Sequence, residues 1–458
     1  MTEPKRAKER DPVDRASRFC YRRLDIDAEA GELCCHYSSD DDDFVERVAF
    51  DGTAGSARWA TPEARAAARW IYLLAGVSYY KTGAAELVDC GEDLSDAERA
   101  FLRTFYVNGL GEFAYRNGLE IGDFILVWPA APAVPKPQRP WVPKRAPVRP
   151  LIPFGGGIDS IVTTEVVKRQ SHGDPALFIV SRAGDRFAAI ETAAAATGLP
   201  IVRADRAVDP KVLRSAERGY FNGHVPVTGI ISAVAVLAAV LGDRDGVVMS
   251  NEASASAGNL VHGGRTVNHQ WSKGMEFEAG FRAMFHEHPV GVEYFSLLRA
   301  SSELWVARQF AALPSYHRAF RSCNKAFYID KARRLDHWCG KCDKCCFVDL
   351  ILAPFMEKAD LGAVFGGHEP LANEGLAEQF RVLLAVSSAS KPFDCVGDTS
   401  ECRSALWLAA QRPDRRDSKL IRRLLGELPP GSEPPSGAFE PSGPHFIPDA
   451  YAPVDLVV

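Results

Sequence analysis

The segment LIPFGGGIDS combines an apolar run, a glycine triplet, an acid and a hydroxyl, which together could bind phosphate. Ordered glycine gives up more backbone freedom than any other residue, so a triplet indicates that a ligand or another backbone approaches closely. The residues of this candidate site are Gly155, Gly156, Gly157, Asp159 and Ser160. Where a glycine loop joins a strand to a helix, free amides and the helix dipole point at one place, which favours an anion. An ordinary tight turn is the alternative interpretation.

Four cysteines further along the chain have the spacing of a metal site. They are Cys323, Cys339, Cys342 and Cys345. Two cysteines with two residues between them can bind the same ion, and four thiolates complete the tetrahedron of a structural Zn2+ site. The interleaved Lys341 and Lys344 would offset the negative charge of the thiolates. The alternative is a set of reduced, buried thiols. The remaining cysteines, Cys395 among them, lack metal-like spacing and are interpreted as core or surface thiols.

A third polar group lies between the glycine loop and the cysteines. SNEASASAGN follows a strand-like apolar run, and VNHQWSKGMEFEAGF opens a helix. Polar residues at the ligand edge of a parallel sheet favour a polar, anionic substrate. Substrate contacts are predicted for Ser250, Asn251, Glu252, Asn268 and Gln270. Lys273 and Glu276 could instead form an i,i+3 ion pair on a solvated helix face.

The elements that must position these residues alternate between strand and helix. Strands are predicted at LIPF and at residues 176–181, 200–204, 246–250 and 292–296, with helical stretches such as RFAAIETAAAATG and VTGIISAVAVLAAVLG between them. This alternation predicts an α/β fold with a doubly wound parallel sheet. Upstream, TPEARAAARWIYLLAGVSYY and SDAERAFLRTFYVNGLGEFAYR have helical patterns, and FILVW is typical of a strand.

Changes in composition predict the domain organisation, because proline-rich stretches favour stiff connections and tails without a core. We expect a disordered start at 1–18, a mixed N-terminal α+β domain at 19–128, a Pro-rich linker at 129–147, a glycine-loop sheet domain at 148–322, a small helical region with the cysteine cluster at 323–427, and a Pro/Gly-rich tail at 428–458.

Composition excludes several classes of protein. The 458 residues allow two or three domains, and 54 basic against 59 acidic residues give a net charge of -5, so no nucleic-acid partner is expected. No stretch approaches the roughly 20 apolar residues of a membrane span, so we expect no membrane partner and a cytoplasmic location. The 11 cysteines are an odd number and are unevenly spread, which fits metal or thiolate chemistry better than a disulfide framework.

The glycine loop lacks both the lysine of GxxxxGK[ST] and the spacing of GxGxxG. GGGIDS resembles the SGGxDS motif of the PP-loop ATP pyrophosphatases, with Gly155 in place of the first serine. This resemblance implies a sheet of the adenine nucleotide alpha hydrolase-like type. Enzymes of the PP-loop family cleave ATP to AMP and pyrophosphate and activate a substrate oxygen as an adenylate. It also implies that the glycines and Ser160 hold the pyrophosphate and that Asp159 lies near Mg2+. The CGxCxxC run is similar to that of 7-cyano-7-deazaguanine synthase, which lacks so large a front domain.

The order of GVSYYK, PFGGGIDS, SNEASAS, NHQWSKGMEFE, EYFSLLR and SCNKAF resembles the bacterial UDP-N-acetylmuramoyl-L-alanyl-L-glutamate epimerase family over most of residues 45–425. Membership implies ATP-dependent conversion of the L-glutamate in a UDP-muramoyl dipeptide to D-glutamate for peptidoglycan, and pairing with the ligase that adds L-glutamate. The catalytic candidates are Asp159 at the phosphates and, for the proton transfers, His269, Lys273, Glu276 and His262. Two rivals stay open: an ATP-dependent ligase or nucleobase-modifying enzyme, and a non-catalytic zinc-binding interaction protein.

Overall fold

The structure of the protein is a computed structural model that describes residues 14–91, 93–122, 124–127, 146–170, 173–388, 392–451 and 455–457. The predicted disordered start and Pro-rich linker fall largely outside the described residues, since 1–13 and 128–145 are not among them. Within the described ranges, every helix is too short or too polar to cross a membrane.

Twelve strands lie in the described residues: β1 (Arg18–Asp27), β2 (Glu32–Ser39), β3 (Asp42–Phe50), β4 (Leu87–Asp89), β5 (Ile125–Val127), β6 (Pro150–Pro153), β7 (Ala176–Arg182), β8 (Ile201–Ala207), β9 (Gly246–Met249), β10 (Leu260–His262), β11 (Arg265–Val267) and β12 (Glu293–Ser296). The strands predicted from FILVW, LIPF and the four later apolar runs are confirmed as β5 to β9 and β12.

The same ranges contain fifteen α-helices: α1 (Pro62–Ala75), α2 (Val77–Tyr80), α3 (Asp96–Gly109), α4 (Gly111–Asn117), α5 (Ile158–Gln170), α6 (Ala188–Thr197), α7 (Pro210–Leu213), α8 (Val227–Leu241), α9 (Met275–Glu287), α10 (Glu303–Ala311), α11 (Asp343–Leu352), α12 (Lys358–Val364), α13 (Ala377–Leu383), α14 (Thr399–Gln411) and α15 (Lys419–Glu427). The helices predicted from the sequence are confirmed as α1 to α6, α8 and α9.

Local sequence signals explain where the first long helices begin. Thr61 accepts a hydrogen bond from the amide of Ala64 and is followed by Pro62, whose fixed φ suits the first helical turn. Ser95 and Glu98 form a reciprocal capping box at the start of α3. These caps satisfy amides that have no partner inside the helix.

Ten strands form one sheet in the order β12-β9-β6-β7-β8-β3-β2-β1-β4-β5. The first five strands in this order are parallel to one another. In chain order they run 5-4-1-2-3, so the sheet is doubly wound and its direction of winding reverses between β6 and β9. The predicted α/β class is confirmed, and the front strands extend the same sheet because β3 pairs with β8 in antiparallel register.

The parallel strands are covered on both faces. Side chains alternate along each strand, so that Leu151 and Phe178 face the core around α8, whereas Ile152 and Leu177 face the core around α5 and α6. Such burial on both faces explains why these strands read as continuous apolar runs rather than as alternating patterns.

A buried ion pair reinforces the junction between β3 and β8. The carboxylate of Glu46 accepts hydrogen bonds from Arg206 at 2.6 and 2.9 Å and from the hydroxyl of Tyr79 at 3.0 Å. The Glu46 side chain is fully buried and that of Arg206 is 11 % exposed. Removing either partner would leave an uncompensated charge inside the protein.

Replacing Arg206 by methionine is expected to lower the free energy of unfolding by about 3–5 kcal/mol, because Glu46 would stay buried without its cation. The measurement is chemical denaturation of the two proteins at neutral pH. Arg47→Met is the matched control: Arg47 follows Glu46 on β3 and pairs with Glu32 of β2, but its side chain is 57 % exposed, and a loss of at most about 1 kcal/mol is expected. Equal losses in the two variants would contradict the prediction.

The C-terminal segment runs over the surface of the sheet domain without forming a core of its own. The amide of Ser442 donates to the carbonyl of Ala300 at 2.7 Å. Tyr451 is buried, its ring lies 5.5 Å from that of Phe295, and its hydroxyl donates to the carbonyl of Pro147. These contacts attach the segment beside β12.

Candidate active site

The glycine loop follows β6 at the point where the winding of the sheet reverses. Gly156 has a φ of 75°, and a Cβ there would lie 3.0 Å from the carbonyl oxygen of Ala189, so this position requires glycine. A Cβ on Gly155 would meet nothing within 4 Å, which leaves that side of the loop open. The first amides of α5 have no partner inside the helix and are available to an anion.

Asp159 and two other carboxylates form an acidic group beside the loop. Oδ1 of Asp159 is shielded from solvent and has no hydrogen-bond partner among the described residues. Burial, and then the charge of Glu252, raise the pKa of Asp159 to about 7. Burial, with Glu252 and Asp159 next, raises the pKa of Glu303 well above its usual range. The three carboxylates thus oppose one another's ionisation, and carboxylate oxygen is the ligand type that Mg2+ prefers.

Two lysines and one cysteine lie next to these carboxylates. Nζ of Lys273 donates to Oε1 of Gln270 at 3.1 Å and to Sγ of Cys395 at 3.3 Å. Nζ of Lys344 donates to the backbone carbonyl of Cys395. Both lysines act electrostatically on Asp159, where they oppose the rise of its pKa. The sequence predicts Cys395 to be a core or surface thiol, and the structure places this free, half-buried thiol beside Lys273.

A histidine pair continues the site toward the front helices. Nδ1 of His269 contacts the carboxylate of Glu112 on α4, and the rings of His269 and His224 lie 4.2 Å apart. Burial opposes protonation of His269, but Cys395 and Glu112 outweigh it and raise its pKa to about 9. Burial, and then the charge of His269, lower the pKa of His224 to about 4. At neutral pH His269 is therefore a cation and His224 is neutral.

A buried network holds the backbone of this site in place. Arg299 donates to Glu278 at 2.8 Å and to the carbonyls of Glu252 at 2.9 Å and Lys273 at 2.5 Å. The amide of Asn251 donates to the hydroxyl of Ser296 at 2.6 Å. The segments after β9 and before α9 are thus tied together, which explains how two separate polar motifs meet at one edge of the sheet.

The remaining residues that were predicted as substrate contacts or catalytic groups lie in several different environments. Asn268 and Gln270 belong to the local turn, because Asn268 accepts from the amide of Gln270 at 2.7 Å. Oγ of Ser250 is buried without a partner among the described residues. Glu276 is exposed and accepts from Trp271 at 2.5 Å; no Glu276–Lys273 ion pair occurs in the described structure. The ring of His262 lies beside Tyr115, at 5.2 Å.

The four predicted zinc ligands come together beside this site. Sγ of Cys345 lies 3.4 Å from that of Cys342 and 3.7 Å from that of Cys339, and with Cys323 all four sulfurs lie within 4.8 Å of one another. Four sulfurs bound to one Zn2+ at about 2.3 Å would be about 3.8 Å apart. Cys342 occupies the N-cap position of α11 and Cys345 lies in its first turn, where the helix dipole stabilises thiolates. The donor set therefore fits zinc.

A doubly wound α/β sheet with a glycine loop, clustered carboxylates and lysines at its switch point defines an α/β enzyme whose site lies at the carboxyl edge of the parallel strands. Residues 11–297 match the family model described as the MurL N-terminal domain, and residues 319–437 match the MurL C-terminal domain. The chain belongs to this family, which confirms the resemblance seen in its motifs.

Two relatives cover most of the chain. A protein of Xanthomonas oryzae pv. oryzae, named UDP-N-acetyl-alpha-D-muramoyl-L-alanyl-L-glutamate epimerase, is 38% identical over 95% of this chain and 96% of its own length. A Micromonospora protein with the same name is 41% identical over 83% of this chain and 84% of its own length. No solved structure matches the chain.

Proposed function

We propose that this protein is an ATP-dependent epimerase that converts the terminal L-glutamate of UDP-N-acetylmuramoyl-L-alanyl-L-glutamate to D-glutamate during peptidoglycan precursor synthesis. The observation that carries the proposal is the similarity over nearly the whole chain to a relative named for this epimerisation. The reaction passes through an acyl adenylate and releases AMP and pyrophosphate. It follows the ligase that attaches L-glutamate.

The glycine loop supports the ATP part of the proposal. The amides of Gly155, Gly156 and Gly157, with Ser160 at the start of α5, would bind the phosphates. Asp159 would hold Mg2+, with Glu252 and Glu303 nearby, and its buried Oδ1, which has no hydrogen-bond partner among the described residues, is free to bind the ion. When bound, Mg2+ offsets the charge that develops on the departing pyrophosphate.

Activation by ATP would make the α-hydrogen of the glutamate more acidic. The α-hydrogen beside a free carboxylate is very weakly acidic, because its removal would place a carbanion beside an anion. An acyl adenylate carries no charge at the carbonyl and can delocalise the electron pair as an enolate, so a positioned base can remove the proton. Hydrolysis of the adenylate then makes the inversion effectively one-way.

The cations of the site are suited to this chemistry. Lys273, Lys344 and the protonated His269 surround the sulfur and carbonyl of Cys395. In a half-buried site, such charges act in a lower effective dielectric than water and can stabilise an enolate oxygen. Ser250, Asn251, Glu252, Asn268 and Gln270 are the proposed substrate contacts.

The front part of the chain supplies space for the remainder of a long substrate. A cleft lies between the front helices and the β10–β11 hairpin, and its lining includes Asn108, Gly111, Glu120, His262 and Arg265. The cleft is partly polar and carries one arginine, which suits a sugar nucleotide. We propose that it takes part of the UDP-muramoyl moiety.

Turnover in heavy water is expected to place deuterium at the glutamate α-carbon of the product, and only when ATP is present. The physical reason is that the unactivated carboxylate makes the α-hydrogen too weak an acid for these side chains. Mass spectrometry of the product and chiral analysis of its glutamate are the measurements, with AMP quantified in parallel. A ligase would leave the α-carbon untouched and form an amide in proportion to AMP, and exchange that proceeds equally without ATP would contradict the adenylate mechanism.

A further inference from the structure

We infer that the thiolate of Cys395 is the base that removes the α-proton of the activated glutamate. This assignment rests on the proposed epimerase function and adds a catalytic residue to it. It follows from the position of one loop, residues 392–398, between the front helices, the lysines and the cysteine cluster.

Contacts on three sides fix this loop. The ring of Phe393 lies 5.6 Å from that of Tyr115, and the guanidinium of Arg116 lies over it at 5.0 Å. Oδ2 of Asp394 accepts from Asn324, next to the metal-ligand candidate Cys323, at 2.6 Å. Cys395 follows directly, and its backbone carbonyl is held by Lys344. These contacts fix the backbone on either side of Cys395 and therefore the position of its sulfur.

The charges around the sulfur favour a thiolate. Lys273 donates to Sγ at 3.3 Å, and His269 is the other donor to the sulfur. Burial opposes ionisation, but Lys273, His269 and Lys344 together outweigh it and lower the pKa of Cys395 to about 6. Cys395 as a residue is half-buried, and its sulfur lies within hydrogen-bond distance of Lys273. The sulfur is thus anionic at neutral pH, and it is a polarisable base held beside two cations.

The other side chains near the adenylate site are less suited to the task. His269 and Lys273 are protonated at neutral pH because their pKa values are raised, so neither can accept a proton. Glu276 is directed to Trp271. Asp159 follows the glycine loop directly and interacts electrostatically with Glu252, so both belong to the proposed phosphate and Mg2+ part of the site. Among the described side chains of this cluster, Cys395 is the polarisable anion that lies beside Lys273 and His269.

The chemical step balances within the site. The Cα–H bond of the acyl adenylate breaks, an S–H bond forms on Cys395, and the electron pair moves onto the carbonyl oxygen as an enolate. Lys273 and Lys344 offset the charge as it passes from sulfur to oxygen. Reprotonation on the other face of the planar enolate completes the inversion and requires a second, acidic group. No oxidant or further reactant is needed.

The test separates the two halves of the reaction. ATP–pyrophosphate exchange in the presence of the UDP-muramoyl dipeptide reports adenylation, and deuterium uptake at the glutamate α-carbon reports proton removal. In Cys395→Ala and Cys395→Ser we expect deuterium uptake to fall at least about 100-fold, since a hydroxyl is a far weaker base than a thiolate. Pyrophosphate exchange should stay within about threefold of the parent, because adenylation does not use the sulfur.

Cys34→Ala is the matched control, since Cys34 is a half-buried thiol on β2 whose pKa burial raises; both readouts should stay at the parent level. Undiminished deuterium uptake in Cys395→Ala would overturn the inference, and so would loss of both activities together in a folded variant. A substrate-sized adduct on Cys395 in quenched enzyme would also overturn it, by making the sulfur a nucleophile. If the parent enzyme showed no pyrophosphate exchange, the proposed function itself would fail instead.

Discussion

Asp159→Asn is expected to slow substrate-dependent pyrophosphate release by at least about 10³-fold while the protein stays folded. The substitution keeps the volume of the side chain but removes the anion beside the phosphates. Oδ1 of Asp159 has no partner within the described residues, so the amide breaks no hydrogen bond of the unliganded protein. The loss would fall on Mg2+ and phosphate binding alone. Release of pyrophosphate from ATP and the dipeptide is the measurement.

The stability of this variant provides a second readout. Burial and the charge of Glu252 raise the folded-state pKa of Asp159 to about 7, above the ordinary value near 3.8. A raised acid pKa means that the folded state binds the proton more tightly, so this group weakens stability as pH rises from about 4 to about 7. Asparagine removes the penalty, and the melting temperature at pH 8 should not fall.

Asp205→Asn is the control for this substitution, because Asp205 lies on β8 and pairs with Arg186 at 2.6 Å rather than with a residue of the glycine loop. Its pyrophosphate release should remain within about threefold of the parent. If Asp159→Asn released pyrophosphate at the parental rate, the assignment of the glycine loop to ATP would be wrong.

Cys342→Ser is expected to abolish metal binding and with it much of the stability of the helical region. The purified parent protein should contain close to one zinc per chain. Apparent binding free energies of structural zinc sites are on the order of 10 kcal/mol, and this energy contributes directly to folding. Metal analysis and thermal unfolding are the measurements, and treatment of the parent with a strong chelator should reproduce both losses.

Cys346→Ala serves as the comparison, since Cys346 is buried beside the cluster but is not one of the four grouped sulfurs. It should retain the metal. The Cys342→Ser variant should also lose deuterium uptake at the glutamate α-carbon, because Lys344, which lies between two ligands, holds the Cys395 loop. Parent protein that is prepared without chelators and contains no zinc would support the interpretation of these residues as buried thiols.

Much of the parallel sheet could be predicted because each strand is a short apolar run bounded by glycine, proline or polar residues. The glycine loop and the CxxC spacing are likewise local signals. The strands β1 to β3 were harder to recognise, since stretches such as RFCYRRLDID mix buried and exposed side chains irregularly. The register of the β1–β2 pair shifts between Tyr21 and Arg23, and this shift breaks the alternation that identifies strands.

The candidate site was predictable only where its residues share one segment. His269 and Lys273 lie in one polar motif, but their partners come from elsewhere: Glu112 is 157 residues earlier and Cys395 is 122 residues later. PFDCVGD has neither periodicity nor motif spacing, so Cys395 carried no signal in the sequence. Its role depends on Lys344 and Phe393, whose positions follow from the tertiary fold alone.

The pairing of β3 with β8 has a consequence for the way in which the chain folds. Arg206 follows Glu46 by 160 residues, so their contact closes a long loop and belongs to the slow, non-local class of folding events. During synthesis, the β1–β3 strands leave the ribosome on the order of ten seconds before β8 does. In that interval β3 is an open sheet edge, which other chains could extend. Its sequence, DDFVERVAF, places charges along that edge, a feature that hinders intermolecular strand pairing until β8 arrives.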